Sequence, residues 1–394
     1  MDNRWMRKML ACLILVVLAG IAGGCKSAAG QAETGWDSLS GRESAVSQAL
    51  TYEGSLELEY ASQFAVDYYQ DGYAVFSVSD GSRYLICPEG AEAPADLMEG
   101  IEVLKQPLAN IYLAATAAMD VFCELEALDK VCFSSQKPDA WSIPEAKKAM
   151  EQGDILYAGK YSMPDYELLL AKGCSLAVEN NMISHTPEVR EKLESFGIPV
   201  WMDLSSYEEH PLGRVEWIKA YGLLLGKEKE AQEAFGRQAE ILSRISRGEE
   251  VEKTVAFFYL TSNGMVNVRV ASDYIPKMIE LAGGRYVFGE LGDEKGRRSS
   301  ISIQMEEFYH AAKDADYLIY NSAVDGGVAS IEELIQREAL FQDFKAVQEN
   351  RVWCASRDLY QRSMSVGGML SDLHIMLSED AGRQEEMQFL YRLQ

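Results

Sequence analysis

The side chains of this sequence that could act on a ligand are aromatic rings and amides, with one lysine among them, in short segments that follow predicted strands. Ligands of open α/β sheets bind outside the carboxyl ends of the strands, so side chains at these positions converge on one site. Aromatic rings there can stack on a planar ligand, and amides can fix its orientation. For each ring, packing in the core is the alternative role. The candidates are Asn110, Trp141, Tyr157, Lys160, Tyr161, Asn180 and Asn181.

Basic side chains would have to be concentrated locally, because the 394-residue chain carries a formal net charge of −24. The planar fork of arginine suits the carboxylate and phenolate oxygens of an anionic ligand. We expect Arg269 and Arg357 to contact such a ligand before the others do. The basic residues in predicted loops or strand ends are Lys160, Arg269, Arg297, Arg298, Arg357 and Arg362.

Catalytic motifs are absent from the sequence. It contains no GxxxxGK[ST] phosphate loop, no GxSxG nucleophile turn and no HExxH zinc motif. The four histidines, His185, His210, His310 and His374, are far apart, whereas a zinc site needs several ligands to converge. The sequence therefore favours a binding protein that is not an enzyme and has no intrinsic metal or cofactor. A secreted two-domain enzyme and a surface adhesion module are the rival classes.

One long helix is the element around which the other predicted elements are arranged. Ala231, Ala234, Phe235 and Leu242 recur at helical spacing between residues 227 and 246. About twenty residues at ~1.5 Å each give a rod of about 30 Å. Strand and helix signals alternate before and after it. This predicts an α/β fold of two Rossmann-like three-layer lobes with mainly parallel sheets, joined by the helix. The alternative is an ordinary surface helix within one large domain.

The alternation also divides the chain into consecutive parts. Residues 55–210 hold an N-terminal hairpin region and the first lobe, 211–248 the connecting helices, and 249–394 the second lobe. We expect the first lobe to begin with a strand at Ile101–Leu104, followed by a helix at Ile111–Leu125.

The first residues have the features of a targeting segment. Two arginines and a lysine precede an apolar run that is too short to favour a spanning helix. Small residues then lead to Cys25, and this resembles a bacterial lipoprotein signal in which the cysteine is lipidated after cleavage. Residues 1–24 are then the signal peptide and 25–54 a flexible tether. The alternative is a plain secretory signal with an incidental cysteine.

Charge and cysteine content indicate the environment of the mature chain. Removal of residues 1–24, which carry a net charge of +2, changes the net charge to −26 (−24 − 2). So acidic a chain repels nucleic acid, which excludes that class of partner. A lipid on Cys25 would attach the protein to a membrane. The odd number of further cysteines predicts buried free thiols, with one disulfide as the alternative: Cys87, Cys123, Cys132, Cys174 and Cys354.

Several fragments, taken in their order and spacing, resemble a known family. They are Ile198-Pro-Val-Trp-Met-Asp, His210-Pro-Leu-Gly-Arg-Val-Glu-Trp-Ile-Lys, Tyr274-Ile-Pro-Lys-Met-Ile-Glu-Leu-Ala-Gly-Gly and Lys345-Ala-Val-Gln-Glu-Asn-Arg-Val-Trp. The family is the helical-backbone (class III) substrate-binding proteins of ABC importers for ferric siderophores, haem and cobalamin. The resemblance covers about residues 97 to 380, so the hairpin region falls outside it.

The resemblance implies a fold, a ligand class and partners. In that family a long helix joins two α/β lobes, and the ligand lies in a cleft between them. The expected ligand is a ferric siderophore or a similar metal chelate, with haem or a corrinoid (cobalamin) as the alternative. The expected partner is an importer permease, and through it the ATPase. The matching positions for permease docking are Glu167 and Glu306, with Glu307 as the alternative to Glu306. The protein would be extracytoplasmic and lipid-anchored.

Overall fold

The computed structural model describes residues 46–245, 253–292 and 298–394. The predicted signal peptide, the proposed lipid site Cys25 and the candidate Arg297 lie outside these residues, as do most of the predicted tether and residues 246–248 of the predicted connector.

The hairpin region forms a sheet of its own, which we call the N-terminal sheet. Its strands, hydrogen-bonded in chain order, are β1 (Tyr52–Ser55), β2 (Phe64–Tyr69), β3 (Ala74–Val78), β4 (Arg83–Cys87) and β5 (Ile101–Lys105). The expectation that Ile101–Leu104 begins the first lobe is wrong. The crossover from residue 88 to residue 100 returns the chain to pair β5 in parallel with β4, so this strand extends the N-terminal sheet.

The first-lobe sheet is fully parallel, with the strand order β12-β11-β6-β7-β8. Its strands and the small hairpin β9–β10 are β6 (Ile111–Leu113), β7 (Val131–Ser134), β8 (Leu156–Tyr157), β9 (Gly159–Lys160), β10 (Met163–Pro164), β11 (Leu176–Asn180) and β12 (Val200–Asp203). Its helices are α1 (Ala118–Glu124), α2 (Pro144–Gln152), α3 (Tyr166–Ala171) and α4 (Pro187–Ser195). The helix predicted at Ile111–Leu125 is correct only in its second half, because Ile111–Leu113 is buried as a strand between β11 and β7.

Three helices connect the lobes: α5 (Pro211–Glu216), α6 (Ile218–Leu225) and α7 (Glu228–Ile245). The predicted backbone helix is α7, and its apolar residues Ala231, Ala234, Phe235 and Leu242 are buried as the periodicity requires. Helix α6 ends at Gly226, whose φ of +66° is the left-handed conformation that glycine adopts readily.

The second-lobe sheet is mixed and has the order β16-β14-β13-β17-β18-β19, with β15 beside β13. Its strands are β13 (Thr254–Leu260), β14 (Val266–Arg269), β15 (Arg285–Tyr286), β16 (Ser300–Ile303), β17 (Tyr317–Asn321), β18 (Val352–Ala355) and β19 (Leu390–Arg392). Strands β13, β15, β17 and β18 run in parallel, and β14, β16 and β19 run antiparallel to their neighbours. Its helices are α8 (Tyr274–Leu281), α9 (Met305–Ala312), α10 (Ser322–Asp325), α11 (Ile331–Arg337), α12 (Lys345–Gln348) and α13 (Val366–Ser378).

Helix α7 contacts one helix on each side at glycine positions. A Cβ atom added at Gly222 of α6 would lie 2.6 Å from the Cβ of Ala231. One added at Gly367 of α13 would lie 2.8 Å from the side chains of both Gln238 and Ile241. Since real Cβ atoms do not approach so closely, these glycines allow α7 to pack tightly against both neighbours and fix their separation.

Two buried carboxylates hold the N-terminal sheet against the connecting helices. Glu216 accepts hydrogen bonds from the backbone N–H groups of residues 59, 60 and 61, at 2.7–2.9 Å, and from Nζ of Lys219. Glu208 accepts from the N–H groups of residues 62 and 63 and from Nε1 of Trp217. The segment that leads into β2 is therefore fixed to α5, and through it to the region between the lobes.

The close contact at α7 predicts opposite effects for two glycine substitutions. Gly222→Ala should destabilise the protein by about 1–2 kcal/mol, because the new methyl group overlaps Ala231. Gly236→Ala, on α7 itself, should stabilise it by about 1 kcal/mol, because a Cβ there meets nothing within 4 Å and alanine favours the helix. Urea denaturation of both variants measures the difference. Equal stability of the two variants would contradict the tight packing of α6 on α7.

Candidate functional site

The carboxyl ends of the parallel strands in the two lobes face one another. Gln361, in the loop that follows β18, accepts a hydrogen bond from the N–H of Ser142 and donates one to the carbonyl of Ala140, each at 2.8 Å. Oγ of Ser363 donates to the carbonyl of Ala117 at 2.7 Å. Because Ala117 and Ala140–Ser142 follow β6 and β7, these bonds join carboxyl-end loops of the first lobe to one of the second. We call the space between these two sets of loops the cleft.

A polar pocket is lined by residues of both lobes. The first lobe contributes Ser206 to Glu209, which follow β12, and the second contributes Ser272, Asp273, Arg298 and Ser299. The empty space between these residues is about 350 Å³, part of it open to solvent. The Oγ atom of Ser206 is buried and has no protein partner.

Large apolar side chains are exposed along the first-lobe side of the cleft. Tyr157, Met163, Met182 and Tyr207 are 37 %, 74 %, 40 % and 36 % exposed, and each lies in a segment at the carboxyl end of β8, β11 or β12. Val324, which follows β17, is exposed on the second lobe. The sequence analysis named Tyr157 as a candidate and did not name Met163, Tyr207 or Val324. Their position after a strand end was the available signal.

Arg269 does not present a free guanidinium group to the cleft. It donates hydrogen bonds to the hydroxyl of Tyr360 and to Oγ of Ser299, and its Nη1 lies 3.6 Å from the carboxylate of Asp273. Its side chain is only 12 % exposed. Burial raises the pKa of Asp273, and the Arg269 guanidinium opposes that rise. Arg269 therefore acts within the second lobe as half of a buried ion pair, in contrast to the free anion-binding group that the sequence suggested.

Arg357 and Lys160 are exposed on opposite lobes. Arg357 donates to the carbonyl of Gly326 at 2.7 Å, which positions its guanidinium group beside the loop after β17. Lys160 and the half-buried Tyr161 lie on the β9–β10 hairpin. Tyr157, Lys160 and Tyr161 thus all lie in the segment at the carboxyl end of β8, and their contact with a ligand stays a prediction.

Trp141, Asn180 and Asn181 are near the cleft, but their polar groups already have protein partners. Trp141 is buried, and its Nε1 donates to Oγ of Ser134 at 3.2 Å. Asn180 caps the turn after β11 by accepting from the N–H of residue 182 at 2.9 Å. Nδ2 of Asn181 donates to the hydroxyl of Tyr207 at 3.2 Å. Asn181 and Tyr207 thereby connect the loops after β11 and β12.

The placement of Asn110 at the cleft was wrong. Asn110 immediately precedes β6, so it lies at the amino edge of the first-lobe sheet, which is the edge opposite the cleft. There its Oδ1 accepts from Sγ of Cys132 at 3.3 Å. The error follows from assigning the preceding strand to the first lobe when it belongs to the N-terminal sheet.

The two expected docking carboxylates lie in the first turns of helices, one in each lobe. Glu167 is exposed in α3, whose first turn is capped by Asp165, and Glu306 and Glu307 are both exposed in α9. The partial positive charge at a helix N-terminus favours a carboxylate at such a position.

One carboxyl group on β11 is buried without a hydrogen-bond partner. Glu179 of β11 is fully buried, and neither of its carboxyl oxygens has a hydrogen-bond partner. Burial raises the pKa of this carboxyl group well above its usual range, because burial penalises the charged form. It belongs to the interior of the first lobe near Tyr112 and Tyr166.

Other features concern metal ions, thiols and membranes. Within the three described ranges, no three His, Cys, Asp or Glu side chains cluster in a way that could hold a metal ion. Cys87, Cys123, Cys132, Cys174 and Cys354 are free thiols, and three of them are buried. Among the helices of the described ranges, none is both long and apolar enough to cross a membrane.

Comparison with solved structures identifies the fold. The periplasmic haem-binding protein HutB of Vibrio cholerae superposes with a TM-score of 0.55 at 15 % identity, over 67 % of this chain and 97 % of its own. A protein of an ABC-type Fe³⁺-hydroxamate transport system from Saccharomonospora viridis gives 0.52 at 18 % identity, over 68 % and 92 %. An ABC transporter substrate-binding protein from Listeria monocytogenes gives 0.52 at 16 % identity, over 68 % and 98 %. The protein therefore has the two-lobe fold of these substrate-binding proteins, and the resemblance in the sequence is confirmed at the level of the fold.

Sequence relatives extend the similarity over the rest of the chain. Two proteins of Methanocaldococcus jannaschii, both named as uncharacterized lipoproteins, are 24 % identical. One alignment spans 85 % of both chains, and the other spans 98 % of this chain and 100 % of the relative. No family model matches the sequence.

Asp120 predicts a pH dependence of the contact between the lobes. Its carboxylate accepts from the N–H of Met364 of the second lobe at 2.8 Å, and burial raises its pKa from 3.8 to about 6. Because the folded protein then binds the proton more tightly than the unfolded chain, ionised Asp120 lowers stability above pH 6. This penalty shrinks as the pH falls from about 6 toward 4.

The variant Asp120→Asn keeps the acceptor oxygen and cannot ionise. It should be at least as stable as the wild type at pH 7.5, and its advantage should decline between pH 6 and pH 4. Urea denaturation of both proteins at pH 7.5, 6, 5 and 4 measures this advantage. If the difference in unfolding free energy between the two proteins does not change with pH, the pKa of Asp120 is the same in the folded protein as in the unfolded chain, which would contradict the prediction.

Proposed function

We propose that this protein is an extracytoplasmic solute-binding lipoprotein of an ABC importer. It captures a ferric siderophore or a similar metal chelate in the cleft and delivers it to the permease. The observation that carries the proposal is the arrangement of exposed Tyr157, Met163, Met182 and Tyr207 along a cleft bounded by the carboxyl ends of strands from both lobes. A surface rich in large apolar side chains that faces such a gap suits a bulky, partly apolar ligand.

The alternative ligand is haem or a corrinoid. Solved structures with this fold that are described as haem-binding include HutB and the protein RhuT from Roseiflexus, and another structure belongs to a hydroxamate transport system. All three ligand types combine a metal centre with a broad organic surface, so the same methionine and tyrosine side chains would contact any of them.

Anchoring and docking complete the proposed role. The relatives that match nearly the whole chain are named as lipoproteins, which supports lipidation at Cys25 and an extracytoplasmic location. Glu167 on the first lobe and Glu306 on the second, or Glu307 in its place, would each meet a basic residue of the permease. Two contacts of this kind would report the separation of the lobes to the permease and its ATPase.

Ligand binding by the cleft can be tested by titration. The purified protein should bind one of a ferric siderophore, haem or cobalamin, with quenching of tryptophan fluorescence, since Trp141 lies beside the cleft. Tyr157→Ala and Tyr207→Ala should each weaken that binding roughly tenfold, which is about 1.4 kcal/mol, by removing an exposed aromatic contact.

The matched control is Tyr52→Ala, because Tyr52 is similarly exposed but lies on the N-terminal sheet. It should leave the affinity unchanged. If both cleft variants bind as tightly as the wild type, or if none of the three ligands binds, the proposed site is wrong.

Docking is tested separately from binding. The double variant Glu167→Ala with Glu306→Ala should retain full ligand affinity but lower uptake by cells about tenfold or more, because each lobe loses a charged contact with the permease. A second double variant with Glu307→Ala in place of Glu306→Ala identifies the docking residue of α9.

Glu188→Ala with Glu332→Ala provides the control for docking. Both of these glutamates are also exposed in the first turn of a helix, in α4 and α11. Uptake that falls equally in the control and the docking variants would indicate a general effect of lost negative charge, and would argue against specific docking.

A further inference from the structure

We infer that the N-terminal sheet is part of the solute site, because it holds the loop that carries Tyr207 through the buried carboxylate of Glu208. This rests on the proposed function and adds positioning residues to it. The loop joins β12 to α5 and comprises residues 204–210, which we call the β12 loop. Its residues Ser206 to Glu209 line the polar pocket together with residues of the second lobe. Tyr207 is one of the exposed aromatic side chains proposed to contact the solute.

The carboxylate of Glu208 fixes the β12 loop to the segment that leads into β2. Glu208 is only 2 % exposed. Its Oε1 accepts from the N–H of Gln63 and from Nε1 of Trp217, both at 2.9 Å, and its Oε2 accepts from the N–H and the hydroxyl of Ser62, at 2.8 and 3.1 Å. Burial raises the pKa of Glu208, and the hydrogen bonds from Trp217, Ser62 and Gln63 oppose the rise. Since all of these groups donate, the ionised carboxylate is the form that can accept from every one of them.

Tyr60 makes a second contact, at the end of the β12 loop. Its ring stacks on that of His210, with the ring centroids 4.4 Å apart. A Cβ atom added at Gly213 would lie 3.1 Å from the carbonyl oxygen of Tyr60 and 3.2 Å from Oε2 of Glu208. The segment 60–63 therefore contacts the second half of the β12 loop and the first turn of α5.

The strand that enters the loop is also fixed by the N-terminal sheet. Because β12 is an edge strand of the first-lobe sheet, one row of its N–H and C=O groups lies outside the hydrogen-bond ladder of that sheet. The hydroxyl of Tyr84 on β4 donates to the carbonyl of residue 200 at 2.7 Å and accepts from the N–H of Met202 at 3.1 Å. The ring of Trp201 stacks on that of Phe76 in β3, with the centroids 4.1 Å apart. The N-terminal sheet thus fixes both the strand before Tyr207 and the residue after it.

Tyr207 lies between these two fixed points. Its hydroxyl accepts from Nδ2 of Asn181 at 3.2 Å, and more than a third of the residue is exposed. Restraints on both sides limit the positions of the ring, so less conformational entropy is lost when a solute packs against it. The resemblance to the importer family begins at about residue 97, so the segment 60–63 and its restraint on the loop come from outside that resemblance.

Glu208→Gln and Glu216→Gln form a matched pair that tests the inference. Both carboxylates are buried, and each oxygen of either one accepts from two donors. In each variant two donors therefore face an amide NH₂ group in place of an oxygen, and both variants should unfold at a lower urea concentration than the wild type. Glu216 holds residues 59–61 but lies in α5, outside the β12 loop.

Affinity should separate the two variants. The probes are haem, cobalamin and a ferric trihydroxamate, each titrated into the purified full chain, and the comparison uses whichever of them the wild type binds. Glu208→Gln should weaken that binding about tenfold, whereas Glu216→Gln should bind within about twofold of the wild type. An equal loss in both variants would indicate a general effect of destabilisation and would overturn the inference.

A double variant shows whether Glu208 acts through Tyr207. If it does, Glu208→Gln with Tyr207→Ala should bind no more weakly than Tyr207→Ala alone, because the residue that Glu208 positions is already absent. Losses that multiply in the double variant would show that the two residues act independently, which would overturn the inference.

Tyr84→Phe provides a second variant should Glu208→Gln fail to fold. It removes only the hydroxyl that binds the edge of β12, and it should weaken binding about threefold. In both variants, hydrogen–deuterium exchange of residues 204–210 without ligand should be faster than in the wild type. Unchanged affinity in the folded variants would overturn the inference alone. Failure of all three probes to bind the wild type would overturn the proposed function, and the inference with it.

Discussion

The contact of helix α7 with one helix on either side is the constraint on which the arrangement of the site depends. Gly222 of α6 and Gly367 of α13 leave no room for a side chain, so the helices approach closely and cannot slide without steric overlap. Because α6 follows the first lobe and α13 belongs to the second, α7 holds the two sheets at a fixed distance. The carboxyl ends of their parallel strands then face each other, and the loops at those ends become the walls of one cleft.

Most of the polar side chains around the cleft form hydrogen bonds or ion pairs with other groups of the protein. Arg269, Asp273 and Tyr360 satisfy one another, Asn181 holds Tyr207, and Gln361 bridges the lobes through two backbone groups of the first. These bonds preorganise the loops, since each of them fixes a side chain that would otherwise be free in solution. What remains available to a solute is chiefly aromatic and thioether surface.

The sequence predicted the repeating elements well and the non-local pairings poorly. The periodicity of Ala231, Ala234 and Phe235 located α7, and the strand–helix alternation gave both lobes, because these patterns reflect local geometry. The strand at Ile101–Lys105 was recognised, but its partner in the N-terminal sheet is chosen by tertiary packing, which no local pattern encodes. Arg269 was misjudged for the same reason: Tyr360, which accepts from its guanidinium group, is 91 residues away in the chain.

Hydrogen–deuterium exchange of the purified protein, with and without a bound ferric chelate, tests the central claim most directly. The account predicts that the ligand slows exchange in the loops after β8, β11 and β12 of the first lobe and after β17 and β18 of the second, with little change elsewhere. Protection confined to the N-terminal sheet, or to the amino edge of the first-lobe sheet around Asn110, would contradict the placement of the solute between the lobes.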